Sequence, residues 1–263
     1  MQVETIYRYP VKTLTGEGLA NTLLRPDGAI AGDRIFAIAQ ADCGFDEATP
    51  SWRSKRELVC LARNPDAISL DARYDEVADT LTLRAADGGV IEASPASPDG
   101  RAMLESFITQ AIPGALRGTP RLIQAPAINF TDQSRKFISL IGLPSLRALE
   151  QKVGAARDPL RFRANIYLEG LEPWAEFDWV GRRLRLGAAV IEVVERIDRC
   201  AATGLNPVTR QRDANPVQEL MQHFGHADCG VFARVLTGGV VAPGDRVTLI
   251  DQPAYAPPQN GLI

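Results

Sequence analysis

The chain has 263 residues, of which 45% are hydrophobic and 23% are charged, and its formal net charge is -3. This size and composition allow one large or two ordinary globular domains with a sizeable core. The small negative charge excludes the extended basic surface typical of nucleic-acid-binding proteins, although it does not exclude a local basic pocket.

Neither the amino end nor the cysteines indicate export or a membrane. Residues 1–4 lack the basic and apolar segments of a secretory signal, and no apolar run reaches the roughly 20 residues that span a bilayer. The four cysteines lack the short paired spacing of a disulfide framework or a paired-cysteine metal site. They are Cys43, Cys60, Cys200 and Cys229. We therefore expect a cytoplasmic protein with neither a nucleic-acid nor a membrane partner.

The amino-terminal part carries β-branched and aromatic runs between Pro and Gly turns, which predicts short strands. The stretch 80–84 alternates leucine with polar residues, as a strand with one buried face does. Strands are predicted over 3–9, 19–24, 35–39, 58–62, 68–70, 80–84 and 90–92. Leu104, Phe107 and Ala111 then recur at helical spacing before Pro113, which predicts a covering helix over 101–111.

The segment 116–134 has no clear periodicity and contains two prolines, so it is the predicted boundary between two β-rich halves. The predicted division is an amino-terminal β domain over 1–115, a second β domain over 125–250 and a loose tail over 251–263.

The second half predicts further strands and two helices with proper caps. Pro144 and Gly154 delimit one helix, and Asn215 and Gly225 delimit the other. Strands are predicted over 137–141, 183–186, 188–195, 231–236, 240–241 and 246–250, and helices over 144–153 and 216–224. The predicted fold class is mainly β with some α.

Cys200 is the candidate reactive residue. An apolar run over 188–194 precedes it, Arg196 and Arg199 lie beside it, and Gly204 begins a turn after it. Nearby guanidinium charge favours the thiolate, which is the nucleophilic and metal-binding form of the side chain. A buried apolar cysteine is an equally good interpretation of the same pattern.

Several basic residues are candidates for binding an anion. Lys12 follows the first strand, and a solvated loop lysine is the alternative. Arg34 suits a bidentate contact with phosphate or, equally, a pair with a neighbouring carboxylate. Lys55 belongs to a short basic cluster over 53–56, for which a solvated surface is favoured over ligand contact. Arg161 and Arg163 alternate with Phe162, which predicts two guanidinium groups on the same face of a strand. A structural pair of exposed arginines is an equal alternative.

The sequence also invites a zinc hypothesis at His223, His226, Asp228 and Cys229. Their spacing is not that of a standard zinc site, and a second Cys or His pair is missing. The end of a helix and a loop are the favoured interpretation.

Two sets of motifs resemble those of a known family and occur in the same order along the chain. Arg199-Cys200-Ala201-Ala202-Thr203, Asn206-Pro207, residues 232–235, Gly238-Gly239 and Gly244-Asp245 resemble the MOSC domain, named for the C-terminal domain of molybdenum cofactor sulfurase. Tyr9-Pro10-Val11-Lys12 and Gly32-Asp33-Arg34 resemble the β-barrel domain that precedes MOSC in amidoxime-reducing and related reductases. The resemblance covers about residues 1–250. It implies an N-terminal β-barrel-like domain followed by a MOSC β-barrel with a few flanking helices.

The resemblance implies a molybdenum–pterin cofactor, with Cys200 as the catalytic residue and metal ligand. It further implies cofactor contacts from Lys12, Thr13, Arg34, Lys55, Ser145, Arg161, Arg163, Asn165 and Arg199. The implied activity is reduction of a small N-hydroxylated compound. Electrons would come from a separate redox protein, since the sequence carries no nicotinamide, flavin or iron–sulfur motif. For Ser145, bonding to the amides of its own helix is an equal alternative.

Two other functions use the same residues. Cys200 could carry a persulfide and transfer its sulfur to a cofactor or metal cluster. The chain could also be a pterin-binding module without catalytic activity.

Overall fold

The computed structural model describes residues 1–125 and 127–250, so the predicted tail over 251–263 lies outside the described residues. Within these ranges the chain is mainly β with some α, as predicted. The strands are β1 Gln2–Arg8, β2 Glu17–Leu19, β3 Thr22–Leu24, β4 Phe36–Ala39, β5 Asp71–Asp75, β6 Thr80–Arg84, β7 Val90–Ala93, β8 Arg121–Gln124, β9 Ile138–Gly142, β10 Ile166–Glu169, β11 Arg183–Leu186, β12 Ala189–Asp198, β13 Asp228–Thr237, β14 Gly239–Val241 and β15 Val247–Ile250. The helices are α1 Pro98–Ala111, α2 Leu143–Val153 and α3 Pro216–Phe224.

The largest sheet joins the two ends of the chain. Its strand order is β15-β11-β12-β13-β9-β10-β1-β2, and neighbours are antiparallel except β9 and β10. Val3 and Ile6 of β1 are buried in the same apolar core as Leu184 and Val231. The first strand is therefore a structural part of the sheet built mainly by the second half.

A second core lies under the smaller sheets of the amino-terminal half. Strands β5, β6 and β7 form an antiparallel sheet, and β4 pairs with β8. Leu81 and Leu83 of β6 point into this core beside Leu104 and Ile108 of α1. The alternation in β6 and the helical spacing in α1 thus have one cause, burial of a single face of each element.

The helix caps follow the sequence signals. The Asn215 side chain accepts a hydrogen bond from the amide of Gln218 at the start of α3, and Gly225 ends that helix in the left-handed conformation. Helix α1 begins at Pro98, three residues before the predicted start at 101, because the Ser97 hydroxyl accepts a hydrogen bond from the Gly100 amide and caps the helix there.

Two predicted strands in the amino-terminal half are wrong. In 58–62 only Leu58 is paired, to Ala39, and the chain then turns through hydrogen bonds from the Arg63 and Asn64 amides to the Cys60 carbonyl. The predicted strand 68–70 is instead the end of a 3-10 helix, Pro65–Ser69. Both runs are apolar because they are buried. A short apolar run cannot by itself distinguish a strand from a turn.

The segment 116–134 contains strand β8, which pairs with β4 with Phe36 opposite Gln124. Leu122 and Ile123 are buried, so this part of the segment belongs to the packed structure. The predicted strand 19–24 is two short strands, of which β2 pairs with β1 and β3 pairs with β14. The division into domains at 115 and 125 stays a prediction.

Candidate functional site

Cys200 lies at the exit of β12, directly before a 3-10 helix, Ala201–Gly204. It is exposed, whereas Cys43, Cys60 and Cys229 are buried. Both the amide and the hydroxyl of Thr203 donate to the Cys200 carbonyl, at 3.1 and 3.0 Å. The loop thus fixes the backbone of Cys200 while its thiol faces outward.

The two arginines beside Cys200 point to other groups. Arg199 donates from Nε to the Cys229 carbonyl at 2.8 Å and from Nη1 to the Phe162 carbonyl at 2.7 Å. Arg196 lies over the Phe177 ring, with 4.3 Å between guanidinium carbon and ring centre. Burial lowers the pKa of Arg199. Arg199, the residue before Cys200, thus contacts Phe162, the residue before Arg163.

Three basic side chains from distant parts of the sequence form a cationic cluster, namely Lys12, Arg34 and Arg163. Nζ of Lys12 lies 2.6 Å from Oδ1 of Asp132, and Nη1 of Arg34 lies 2.5 Å from Oδ2 of Asp33. Nη2 of Arg34 donates to the Arg163 carbonyl at 3.0 Å. The structure therefore brings together one predicted residue from the second half and two from the first.

Tyr9 organises this cluster, and sequence reasoning missed it as a site residue. The guanidinium carbons of Arg34 and Arg163 lie 4.6 and 4.4 Å from the centre of its ring. Its hydroxyl donates to the Ala164 carbonyl at 3.2 Å, and its amide donates to Asp33 at 2.8 Å. Burial raises the pKa of Tyr9 to about 12, so the ring is neutral at physiological pH. Cation–π contact with both guanidinium groups is its evident role.

The cluster has more positive than negative charge. Arg163 donates from Nη1 to the carbonyls of Leu14 and Thr13, at 2.6 and 3.2 Å, but its buried Nη2 has no partner among the described residues. Burial, followed by repulsion from Arg34, lowers the pKa of Arg163 to about 10. Burial also lowers the pKa of Lys12. Buried charge without a counter-ion is costly, so this arrangement favours a bound anion.

The prediction that Arg161 and Arg163 share one face of a strand is wrong. Arg161 lies in a 3-10 helix, Pro159–Phe162, and Arg163 follows in the left-handed conformation with φ 52°. Asp158 starts this turn because its side chain accepts from the Leu160 amide at 2.8 Å. Arg161 is buried, donates to the Gly204 carbonyl at 3.2 Å and pairs with Asp213.

Two of the remaining predicted polar residues, Thr13 and Asn165, are hydrogen-bonded within the protein. The Thr13 hydroxyl donates to the Val59 carbonyl at 2.8 Å, and the Asn165 side chain accepts from the hydroxyl of Ser139 at 2.9 Å. Lys55 is exposed.

Ser145 is fully buried in α2 and is hydrogen-bonded to Glu176 and to Trp174. The Ser145 hydroxyl donates to Oε2 of Glu176 at 2.8 Å and accepts from the Trp174 amide at 2.8 Å. Burial raises the pKa of Glu176. The hydroxyl therefore serves a neighbouring 3-10 helix, Ala175–Trp179, and its entry rather than the amides of its own helix.

A cavity of about 550 Å³ lies beside the cluster. It is lined by Tyr9, Arg161 and Arg163 and also by Ala202 and Leu205 of the loop after Cys200. Cys200, Lys12 and Arg34 do not line it. The cavity thus connects part of the cationic cluster to the loop that carries the exposed thiol.

Comparison with known families adds an independent observation. A model described as the MOSC domain matches residues 127–248, and one described as the MOSC N-terminal beta barrel domain matches residues 1–111. The chain belongs to the MOSC family. The motifs around Tyr9, Gly32 and Cys200 fall inside the matched regions.

Solved structures similar to this MOSC protein share little sequence with it. The YUAD protein from Bacillus subtilis is 14% identical, with 94% of this chain and 93% of that chain covered and a TM-score of 0.46. YiiM from Geobacillus stearothermophilus is 22% identical over 43% of this chain, with a TM-score of 0.34, and the match spans about half of YiiM, 54%. YiiM from Escherichia coli is 19% identical, over 44% and 54% of the two chains, with a TM-score of 0.33. No curated protein matches the chain.

Two further features of this MOSC protein bear on the sequence hypotheses. His226 packs with its ring centre 5.3 Å from that of Phe177 and 5.6 Å from that of Trp174. Residues 1–125 and 127–250 contain no group of three or more His, Cys, Asp or Glu side chains able to hold a metal ion. In the same residues, no helix is both long and apolar enough to cross a membrane.

Proposed function

We propose that the chain binds a molybdenum–pterin cofactor and reduces small N-hydroxylated compounds with it. The observation that supports this most is the combination of an exposed thiol, Cys200, with a cationic cluster that has an unpartnered guanidinium nitrogen. A phosphorylated pterin that carries a metal needs both features, an anion site and a soft ligand.

The cationic cluster suits the anionic end of the cofactor. Lys12, Arg34 and Arg163 contribute three positive charges, and Asp33 and Asp132 contribute two negative ones. The Asp132 side chain is 61% exposed, so it can turn into water and release the Lys12 ammonium for a ligand. Lys55 is exposed and would lie at the edge of this group. A bound phosphate would compensate the remaining positive charge.

Cys200 is the proposed metal ligand. When bound, the cofactor supplies the two-electron redox centre at which the N–O bond is cleaved. The protein contributes a thiolate on a backbone fixed by the two Thr203 bonds. Such support matters because a ligand must hold its position to fix a metal site.

Other predicted residues have positioning roles in this proposal. Arg199 ties the strand end before Cys200 to the carbonyls of Cys229 and Phe162, and Arg161 ties the loop after it to the segment before Arg163. Thr13 offers its carbonyl to Arg163. These bonds hold the thiol and the cationic cluster in a fixed relation.

Asn165 joins β10 to β9 and β1, through Ser139 and the Tyr7 carbonyl. Ser145 is the member of the proposed cofactor set with the least support, because its hydroxyl is already committed to Glu176. Electrons would reach the site from a separate cytoplasmic redox protein.

Exposure of the Cys200 thiol favours one second function, that of a sulfur carrier. A persulfide on Cys200 would be open to an acceptor thiolate on another molecule, because Cys200 is exposed. In this alternative the cationic cluster would stabilise the sulfur-accepting cofactor rather than retain it permanently.

One preparation distinguishes the two functions. The protein is made in a host that synthesises the cofactor, then analysed for molybdenum, for pterin fluorescence and for intact mass after gentle purification. Molybdenum and pterin near one per chain support the reductase, whereas an added sulfur atom without metal supports the carrier. Wild-type turnover of an N-hydroxylated substrate by Cys200→Ser would end the reductase proposal. Cys43→Ser, at a buried cysteine, is the control.

A further inference from the structure

The cavity beside the cationic cluster is lined by buried apolar residues, called its floor here, and by exposed charged residues, called its mouth. Leu61, Ile68 and Leu205 line it and are at least nine-tenths buried. Arg73 of β5 and Arg84 of β6 line it as well and are exposed. Its volume of about 550 Å³ is within the range of small-molecule sites.

The two arginines at the mouth have no counter-ion in the part of the chain that the structure describes. No hydrogen bond or ion pair within the described residues involves either side chain. Arg84 lies opposite Asp71 in the strand pairing, but Asp71 instead accepts from Arg210 at 3.1 Å and from Thr15 at 3.0 Å. Arg73 lies opposite Thr82, which carries no charge. The two guanidinium groups project from the same face of neighbouring strands.

The lining as a whole also contains more arginine than carboxylate side chains. Asp71 is paired, and the other acidic lining residue, Glu92, accepts within the described residues from the Thr82 hydroxyl alone, at 3.4 Å. Arg161 also lines the cavity and is 5% exposed; it pairs with Asp213, but its Nε has no partner among the described residues. Arginine therefore exceeds carboxylate around this cavity.

We propose that the part of this cavity lined by Arg73, Arg84, Leu61 and Leu205 is the substrate pocket, beside the cofactor contact proposed for Arg163. It selects compounds that carry an anionic group, such as a carboxylate, on an apolar body. Arg73 and Arg84 hold the anion at the mouth. The apolar body lies against Leu61 and Leu205, and the reacting end lies toward Ala202, two residues beyond Cys200. The inference rests on the proposed function for the identity of the reacting end, whereas the anion preference rests on the cavity alone.

Binding to the purified protein tests the preference without turnover. The probes are benzamidoxime and its 4-carboxy derivative, measured by isothermal titration calorimetry at low and high salt. The acid is expected to bind about tenfold more tightly than the neutral compound, which is ~1.4 kcal/mol. The preference should weaken in high salt, because the two arginines are exposed.

Matched variants locate the effect. Arg73→Gln with Arg84→Gln should remove the preference and leave the neutral compound unchanged. Arg183→Gln with Arg185→Gln, at exposed arginines of β11 that do not line the cavity, should change neither. Glu92→Gln should strengthen the acid's binding, because it removes a negative charge from the lining.

The outcomes separate this inference from the proposed function. Equal binding of the two compounds, no binding of the acid, or a preference that survives Arg73→Gln with Arg84→Gln overturns the inference, even if the holoenzyme reduces both compounds. A protein that holds no molybdenum or pterin but shows the arginine-dependent preference retains the anion-selective cavity and loses the reductase.

Discussion

Replacement of Lys12 by methionine should weaken cofactor binding without lowering the stability of the fold. Lys12 is a buried cation whose side chain is 9% exposed, and its carboxylate partner, Asp132, is 61% exposed. Methionine has similar length and no charge, so Lys12→Met removes the cost of burying the ammonium. Asp132 can return to water. The free energy of unfolding should therefore be unchanged or rise by up to about 2 kcal/mol.

The same variant should lose affinity for the cofactor. A hydrogen bond to a charged group contributes ~1.5–3 kcal/mol, so the affinity should fall roughly 10- to 150-fold. Urea unfolding followed by tryptophan fluorescence gives the stability, and molybdenum and pterin per chain after extended dialysis give the retention.

A matched control exists in Arg157, which donates to both carboxylate oxygens of Glu219, at 2.9 and 2.7 Å. These two side chains are 9% and 15% exposed, so Arg157→Met leaves a carboxylate that cannot return to water. It should cost about 3 kcal/mol of stability and leave retention unchanged in the folded protein. If Lys12→Met destabilises the protein as Arg157→Met does and retains the cofactor in full, Lys12 is a structural residue and not a cofactor ligand.

Three further predictions follow from other parts of the structure. Ellman's reagent should titrate one thiol rapidly in the native protein and four in denaturant, and Cys200→Ser should abolish the rapid phase; a second rapid thiol would contradict the burial of the others. Ser145→Ala should lower the free energy of unfolding by ~1–3 kcal/mol because it removes a donor to a buried carboxylate, with cofactor retention unchanged; loss of cofactor from stable protein would instead make Ser145 a cofactor ligand. Because burial raises the pKa of Glu176 in the folded state, its protonation stabilises the fold below the unfolded pKa near 4.5 and this contribution is lost as pH rises through the folded pKa. Urea unfolding of the wild type against Glu176→Gln should therefore show the wild type gaining relative stability as pH falls from 7 toward 4.5, and parallel pH profiles would show the prediction to be wrong.

Elements specified by local signals could be predicted from the sequence. The caps of α3 and the alternation in β11 depend on residues within one turn or one strand, so their sequence pattern is sufficient. The 3-10 helix before Arg163 was missed because the alternation of Arg161, Phe162 and Arg163 suits a strand equally well. The turn depends on the side chain of Asp158.

The candidate site could be predicted only through family resemblance. Lys12, Arg34 and Arg163 are far apart in the chain, and no spacing rule brings them together. The resemblance named them, but it included Tyr9 only as part of a motif and not as a site residue, although two guanidinium groups contact its ring. It did not name Asp132, which pairs with Lys12. Such contacts depend on how the two halves pack, and that information is spread over the whole sequence.

X-ray absorption at the molybdenum edge, on wild-type protein beside Cys200→Ser, tests the proposed metal ligand most directly. Both proteins are prepared in the same cofactor-producing host, and the sulfur neighbours of the metal are counted from the fitted spectrum. We predict one sulfur neighbour fewer in the variant. The same number in both proteins, or wild-type protein without molybdenum, would contradict the account.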